Sequence, residues 1–453
     1  MSALHTMNPM SETSTHRPLW TLSADEAQRA MARGECGSED LVRACLARIA
    51  QREPEVQAWA HLDAENALAQ ARARDREPRR SPLHGIPVGV KDIIRTRDLP
   101  TSFNSPVYEG FCAAEDAHVV ATLRALGAVV LGKTQTLEFA CGGRFPPTRN
   151  PWDLSRTPGG SSSGSGAAVA DGMVPLALGT QTGGSTIRPA AFCGAHAMKP
   201  TWGRIPFDGI KSFAAHLDTV GFYGRSVADL ALLWEAYGIR EAAADGAGAA
   251  PGHGAPLRLG LCRTPLWDQA EPEAQAALEA LLRQLAGAGV EIRTIDWDPA
   301  FDAINTWQDE IMQDGGRSAF RPEWLHSPEL LHEEFQRKLG NHLGLTPARM
   351  RAALDAVARC RVDFEQRLQG LDAAVTLSAP GVAPTGLHTQ GLATFNRLWT
   401  ALQVPCISLP ALWSPAGLPM GLQLVQARYE DERLLQVAAR LEALLPPTRR
   451  PWN

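Results

Sequence analysis

The sequence predicts an α/β fold, and three observations predict it. Helix gives way to strand twice in the first third: a helical segment after Asp63 leads to the apolar run Gly85–Val90, and a helix over Ala117–Leu126 leads to Ala128–Leu131. The alternation returns after residue 256, with a strand over Leu257–Cys262, a helix over Pro272–Leu285 and a strand over Val290–Ile295. Capping residues and glycines fall at the joints.

Taken in order, Ser23-Ala24-Asp25-Glu26 is a capping box and Gly34 a helix stop. A second helix runs from Ser38 to about Gln51, because Val42, Cys45, Leu46 and Ile49 share one face. Gly127 stops the helix Ala117–Leu126. Ala373–Leu377 and Leu418–Val425 are strand candidates, and Asp431–Leu445 is a closing helix. Residues 1–17 are polar, lack the apolar core of a signal peptide and are expected to form a disordered tail on a cytosolic (cytoplasmic) protein. Residues 241–256, EAAADGAGAAPGHGAP, read as a surface loop or linker.

The chain of 453 residues is 44% hydrophobic, enough for a large core, and its net charge of −5 comes without a run of either sign. Neither nucleic acid nor an anionic membrane surface is suggested as a partner. No apolar run reaches the roughly 18 residues of a membrane span. The eight cysteines are scattered and form no CxxC pair, so neither a metal site nor a disulfide framework is expected.

Three motifs compete for the chemistry. Gly127–Thr134, GAVVLGKT, fits the phosphate-loop pattern, which would make the chain a nucleotide-binding protein. Its centre, AVVL, favours a buried strand ending in Lys133. Gly160-Ser161-Ser162-Ser163-Gly164 matches the nucleophile elbow of α/β-hydrolases, with His388 as the late histidine. The preceding Phe145–Trp152 is too rich in proline for the central strand that an elbow requires. The third motif joins two Gly-Gly-Ser turns, Gly159-Gly160-Ser161 and Gly183-Gly184-Ser185, to Lys91 at the end of an apolar strand. Ala167–Ala170 and Val174–Leu178 lie between the turns and read as buried, so the segment is not a flexible linker.

On this third set the chain resembles the amidase signature family of serine hydrolases. The carriers are PGGSSSGSGAAVADGMVPLALGTQTGGSTIRPAAFCG and the upstream GIPVGVKD, followed by GAVVLGKT, HAMKPTWGRIP, LDTVGFYGRSVADLA, NRLW and GLPMGLQLV. The resemblance spans roughly residues 20–445 and is weakest between about 240 and 370. It implies a single catalytic domain over 18–453, a mixed central sheet covered by helices on both faces, and a variable, substrate-facing helical region over 300–370. It also implies a Ser–cis-Ser–Lys triad: Ser185 as nucleophile, Ser161 after a cis peptide as bridging serine, and Lys91 as base. Ser163 and Thr182 support the triad, and the amides of Thr182, Gly183, Gly184 and Ser185 form an oxyanion hole. No cofactor or metal enters.

The residue types suit that chemistry. A serine hydroxyl needs a base, and lysine is a base only when neutral. A free lysine titrates near 10.4, so working near neutrality takes a shift of roughly three units, about 4 kcal/mol. Burial acts in that direction. The implied reaction is cleavage of an amide, anilide, carbamate (urethane) or ester through an acyl-enzyme, with a small molecule as partner and a homodimer as the family-based assembly. The family's other reading is an amidotransferase subunit that works with partner proteins on aminoacyl-tRNA. For substrate contacts, Arg188 either holds a carboxylate or pins the loop, Gln313 is placed near substrate, and the loop Cys141–Pro147, residues 310–345 and Trp399 shape the pockets. Asp92 is a structural partner.

Overall fold

The computed structural model of the chain describes residues 17–238 and 255–452. The expected tail therefore lies outside the described residues up to 16, and the expected loop 241–256 lies outside them up to 254. Among the described residues, eleven strands form one mixed sheet. They are β1 (Trp59–Leu62), β2 (Pro87–Lys91), β3 (Val129–Thr134), β4 (Leu176–Gln181), β5 (His196–Lys199) and β6 (Thr219–Gly224), then β7 (Arg258–Leu261), β8 (Glu291–Thr294), β9 (Ala373–Leu377), β10 (Cys406–Trp413) and β11 (Pro419–Val425). The order across the sheet is β1-β3-β2-β4-β6-β5-β10-β11-β9-β7-β8, and helices cover its faces. No helix among the described residues is long and apolar enough to cross a membrane.

Strands β2, β3, β4 and β6 are buried along their whole length. That is why β2 and the first halves of β3 and β4 read as apolar runs and not as alternating ones. β2 is parallel to both β3 and β4, with Val90 beside Leu178. This pairing places the ends of β2 and β4, Lys91 and Gln181, on one rim of the sheet, where strand ends in open α/β sheets form crevices. Between the two Gly-Gly-Ser turns the chain makes a helix, Ser163–Ala170, and then β4. The helix is buried on every side, which its composition of serine, glycine, alanine and valine permits.

That burial is close-fitting. A Cβ on Gly164 would stand 2.1 Å from the Ala58 carbonyl oxygen and 2.3 Å from the Gln135 amide nitrogen, both backbone atoms. Gly164→Ala is therefore expected to destabilise the protein by about 1–3 kcal/mol or more, although alanine is the better helix former by about 1 kcal/mol. Gly166→Ala meets nothing closer than Pro189, whose Cβ, carbonyl oxygen and carbonyl carbon would lie at 3.1, 3.3 and 3.4 Å, and is expected to cost less. Urea denaturation of the two variants side by side checks the order.

Most expected elements form. Ser23 and Glu26 make the capping box, and Asp63 caps the helix Ala64–Arg76. The second helix runs on to Val56, with Pro54 inside it, and ends at the left-handed Gln57. Residues 300–370 are largely helical, as Ile304–Ala319, Arg321–His326, Glu333–Leu339 and Pro347–Arg367. The phosphate-loop reading fails here: Gly127 is a helix stop with φ +91°, and the rest of the motif is β3. Lys133 is buried, 3.0 Å from the Asp92 carboxylate, and bonds Thr101 Oγ1 at 2.7 Å. Asp92 is thus the structural partner expected of it. The elbow reading fails too, since no strand lies between the end of β3 at Thr134 and the helix that opens at Ser163. His388 is exposed and stands edge-on to Phe145, with ring centroids 6.1 Å apart.

Candidate active site

The two Gly-Gly-Ser turns meet at the rim where β2 and β4 end. The Ser162 amide donates to the Ser185 carbonyl at 3.3 Å and so ties the first turn to the second. The peptide Gly160–Ser161 is cis. Lys91 Nζ lies 2.8 Å from Ser161 Oγ and 2.9 Å from Thr180 Oγ1. Lys91 is fully buried, and burial pulls its pKa well below the ordinary lysine value; the negative charge of Asp218 opposes that pull. The site thus favours a neutral amine hydrogen-bonded to a serine hydroxyl.

The second turn is held from behind. The Thr182 carbonyl accepts from Gln308 Nε2 at 2.8 Å and the Gly183 carbonyl from Thr400 Oγ1 at 2.7 Å. The Gly184 carbonyl accepts from the Arg188 amide at 3.0 Å, and the Ser185 carbonyl from Ser162 and, at 3.4 Å, from the Tyr223 hydroxyl. The amides of Gly183, Gly184 and Ser185 donate to no group among the described residues. With every carbonyl of the turn engaged and three donors unspent, the turn is organised to receive an anionic oxygen. Gly184 must be glycine, because a Cβ there would lie 2.6 Å from Asn396 Oδ1.

Thr182 Oγ1 donates to Asp218 Oδ1 at 2.6 Å. Asp218 Oδ2 accepts from Ser212 Oγ at 2.7 Å, the Phe213 amide at 2.8 Å and the Ala214 amide at 3.0 Å. Burial raises the Asp218 pKa, and these hydrogen bonds act against the rise. Ser163 Oγ donates to the Gly159 carbonyl at 2.8 Å and shapes the first turn.

Lys91, Ser161, Ser163, Thr182, Gly183, Gly184 and Ser185 are thus brought together. The residues named for substrate fare differently. The Arg188 guanidinium is buried and engaged: Nη2 and Nε donate to the Gly160 carbonyl at 2.6 and 3.2 Å, Nη1 to the Gly391 carbonyl at 2.6 Å, and Nη2 also to Gln390 Oε1 at 2.6 Å. It pins the loop and has no fork left for a carboxylate. Gln313 faces Asp309, 3.3 Å from its Oδ1; Gln308, on the same helix, is the residue that reaches the turn. Trp399 is buried against Phe364 and Trp297, with centroids 5.1 and 5.9 Å away, on the side of its helix that faces the core. Cys141 is half-buried on the loop that leaves Leu137, whose amide donates to the Ser161 carbonyl at 3.3 Å. Burial pushes the Cys141 thiol up to about 12, so it stays protonated. Asp218, Gln308, Asn396, Thr400 and Thr180 were not read from the sequence as site residues. Asp218 carried the one available signal, an acid next to an apolar strand.

Comparison with known proteins shows the family and the fold. The amidase family model matches residues 40–435. The A subunit of the glutamyl-tRNA(Gln) amidotransferase of Roseiflexus sp. (strain RS-1) is 35% identical, over 92% of this chain and 95% of that protein. Among solved structures, an amidase superposes with a TM-score of 0.84 at 29% identity, covering 94% of this chain and all of that one. The peptide amidase of Stenotrophomonas maltophilia superposes with a TM-score of 0.78 at 29% identity, over 95% and 98%. The chain belongs to the amidase signature family, whose fold it shares.

Proposed function

We propose that the chain is an amidohydrolase that cleaves a C–N acyl bond through an acyl-enzyme on Ser185. The observation that carries this reading is the second turn: carbonyls tied down, three amides unspent, and a buried lysine bonded to Ser161 beside it. Ser185 Oγ attacks the substrate carbonyl. Its proton passes to Ser161 Oγ, whose own proton passes to Lys91 Nζ. The tetrahedral oxyanion sits on the amides of the turn, each such donor being worth about 2.7–4 kcal/mol. When the intermediate collapses, Lys91 returns the proton through Ser161 to the leaving nitrogen, and an amine departs. Water then enters by the same relay and releases the acid. An amide, anilide or carbamate supplies the required carbonyl and leaving group, and an ester differs only in its leaving oxygen.

A second reading has one observation in its favour. The curated relatives at 34–36% identity over more than nine-tenths of this chain are named as one component of an amidotransferase. In that role the chain would act beside partner subunits on a partner-bound aminoacyl-tRNA. One experiment separates the two. The purified chain is given a panel of small amides, anilides, carbamates and esters, by itself and then with amidotransferase partner subunits. Turnover by the chain by itself is expected; silence that only the partners relieve would establish the second reading.

A further inference from the structure

The helix Thr394–Ala401 lays one face on the turn that holds Ser185. Residues 393, 396, 397 and 400 share that face by their spacing. A Cβ on Gly184 would meet the Ala393 Cβ at 2.9 Å and Asn396 Oδ1 at 2.6 Å, and Thr400 Oγ1 donates to the Gly183 carbonyl. Arg397 is the charged member. Its Cγ stands 3.9 Å from where a Gly183 Cβ would be, with Gln308 Nε2 at 3.8 Å from the same point. Those two side chains flank the turn at Gly183.

Arg397 is paired only loosely. Its guanidinium is 3.6 Å from the Asp309 carboxylate, too far for a hydrogen bond, and the two side chains are 37% and 32% exposed. Asp309 follows Gln308 on the helix Ile304–Ala319, so this loose, partly exposed pair lies beside the turn at Gly183. Arg188 cannot serve there, its donors being spent within the protein. A planar guanidinium with free donors matches a carboxylate bidentately.

We infer that Arg397 binds a free carboxylate of the substrate, so that the preferred amide carries one near its scissile bond. This rests on the reading of the turn as the acyl-transfer site. Asp309 competes for the same guanidinium and weakens the capture.

Two matched substrate pairs test this. Succinyl-p-nitroanilide against butyryl-p-nitroanilide places the charge on the acyl side. N-butyryl-4-aminobenzoate against N-butyrylaniline places it on the leaving side. In one pair the charged member is expected to lead in kcat/KM by about tenfold, mostly through KM. Arg397→Gln is expected to lower that ratio by about tenfold, to near unity, at the lower end of the range of a charge-assisted pair. Arg397→Lys retains part of it, Asp309→Asn raises it, and added salt lowers it. Equal kcat/KM within both pairs, or an equal loss on charged and neutral members in Arg397→Gln, would overturn the inference. Calorimetric titration of succinate into the Ser185→Ala protein judges the carboxylate site apart from catalysis. Binding lost on adding Arg397→Gln supports the site, and binding unaffected by it overturns the site. Full turnover by Ser185→Ala would instead refute the acyl-transfer reading.

Discussion

Ser185→Ala is expected to lower kcat by about five to six orders of magnitude, the loss seen when the nucleophile of a serine hydrolase is removed. The residual rate comes from the turn itself, whose donors are backbone amides and survive the substitution. Covalent labelling by a fluorophosphonate should disappear in the same variant, with the wild-type mass increment mapping to Ser185. Two neighbours serve as internal standards. Ser163→Ala removes one hydroxyl that donates to the Gly159 carbonyl at 2.8 Å, and its effect should be far smaller. His388→Ala removes an exposed ring against Phe145 and should leave turnover as it was. Loss of activity in His388→Ala with Ser185→Ala active would return the chemistry to Ser162 and the ordinary elbow.

What made this much of the site legible was composition under constraint. The segment from Gly159 to Arg188 carries little side-chain bulk, and bulk is what its packing forbids: Gly164 abuts two backbone atoms and Gly184 abuts Asn396. β2 was readable as a strand because a strand buried on both faces is largely apolar, whereas β4 was legible only as the buried run Val174–Leu178. β6, TVGFYG, was not, because two glycines break the apolar run. The glycines have packing reasons that exist only in three dimensions: a Cβ on Gly221 would lie 2.2 Å from Thr186 Oγ1, and one on Gly224 would lie 2.6 Å from the Asp229 Cβ. β1 and β5 are four residues each, too short for a period to show; β7 and β8 are as short, but the long helix Pro272–Gly287 between them made their alternation legible. The side chains that hold the turn from behind, Gln308, Thr400 and Asn396, come from helices more than a hundred residues later. No local pattern marks a glutamine that will meet the Thr182 carbonyl. Gln313 was chosen on sequence likeness, whereas the helix turns Gln308 inward. Arg188 shows the converse: its sequence position allowed two roles, and four hydrogen bonds to the Gly160 carbonyl, the Gly391 carbonyl and Gln390 favour the structural one.

Lys91→Met should lower kcat by about four orders of magnitude, the upper range for loss of a general base, while also removing the acid limb of the pH profile. The direction of that limb follows from burial. Folded Lys91 titrates well below its ordinary value. In the wild type the neutral amine, the form that accepts a proton from Ser161, therefore accumulates as pH rises through a folded pKa lying below the unfolded one. Activity rises across that region, below the range in which an ordinary lysine titrates. Stability carries the same signature. Between the folded and unfolded pKa values, the unfolded chain binds a proton at Lys91 that the folded chain does not. The wild type thus gains stability as pH rises through this window and loses it as pH falls, by up to about 1.4 kcal/mol per unit. The penalty is complete below the folded pKa and absent above the unfolded one. Methionine, of similar length and uncharged, abolishes this slope but strands the Ser161 and Thr180 hydroxyls that now bond Nζ at 2.8 and 2.9 Å. Denaturation of both proteins at a series of pH values measures the difference. A difference between wild type and Lys91→Met that does not change with pH would mean that folded Lys91 keeps its ordinary proton, and the relay from Ser185 through Ser161 would have no acceptor.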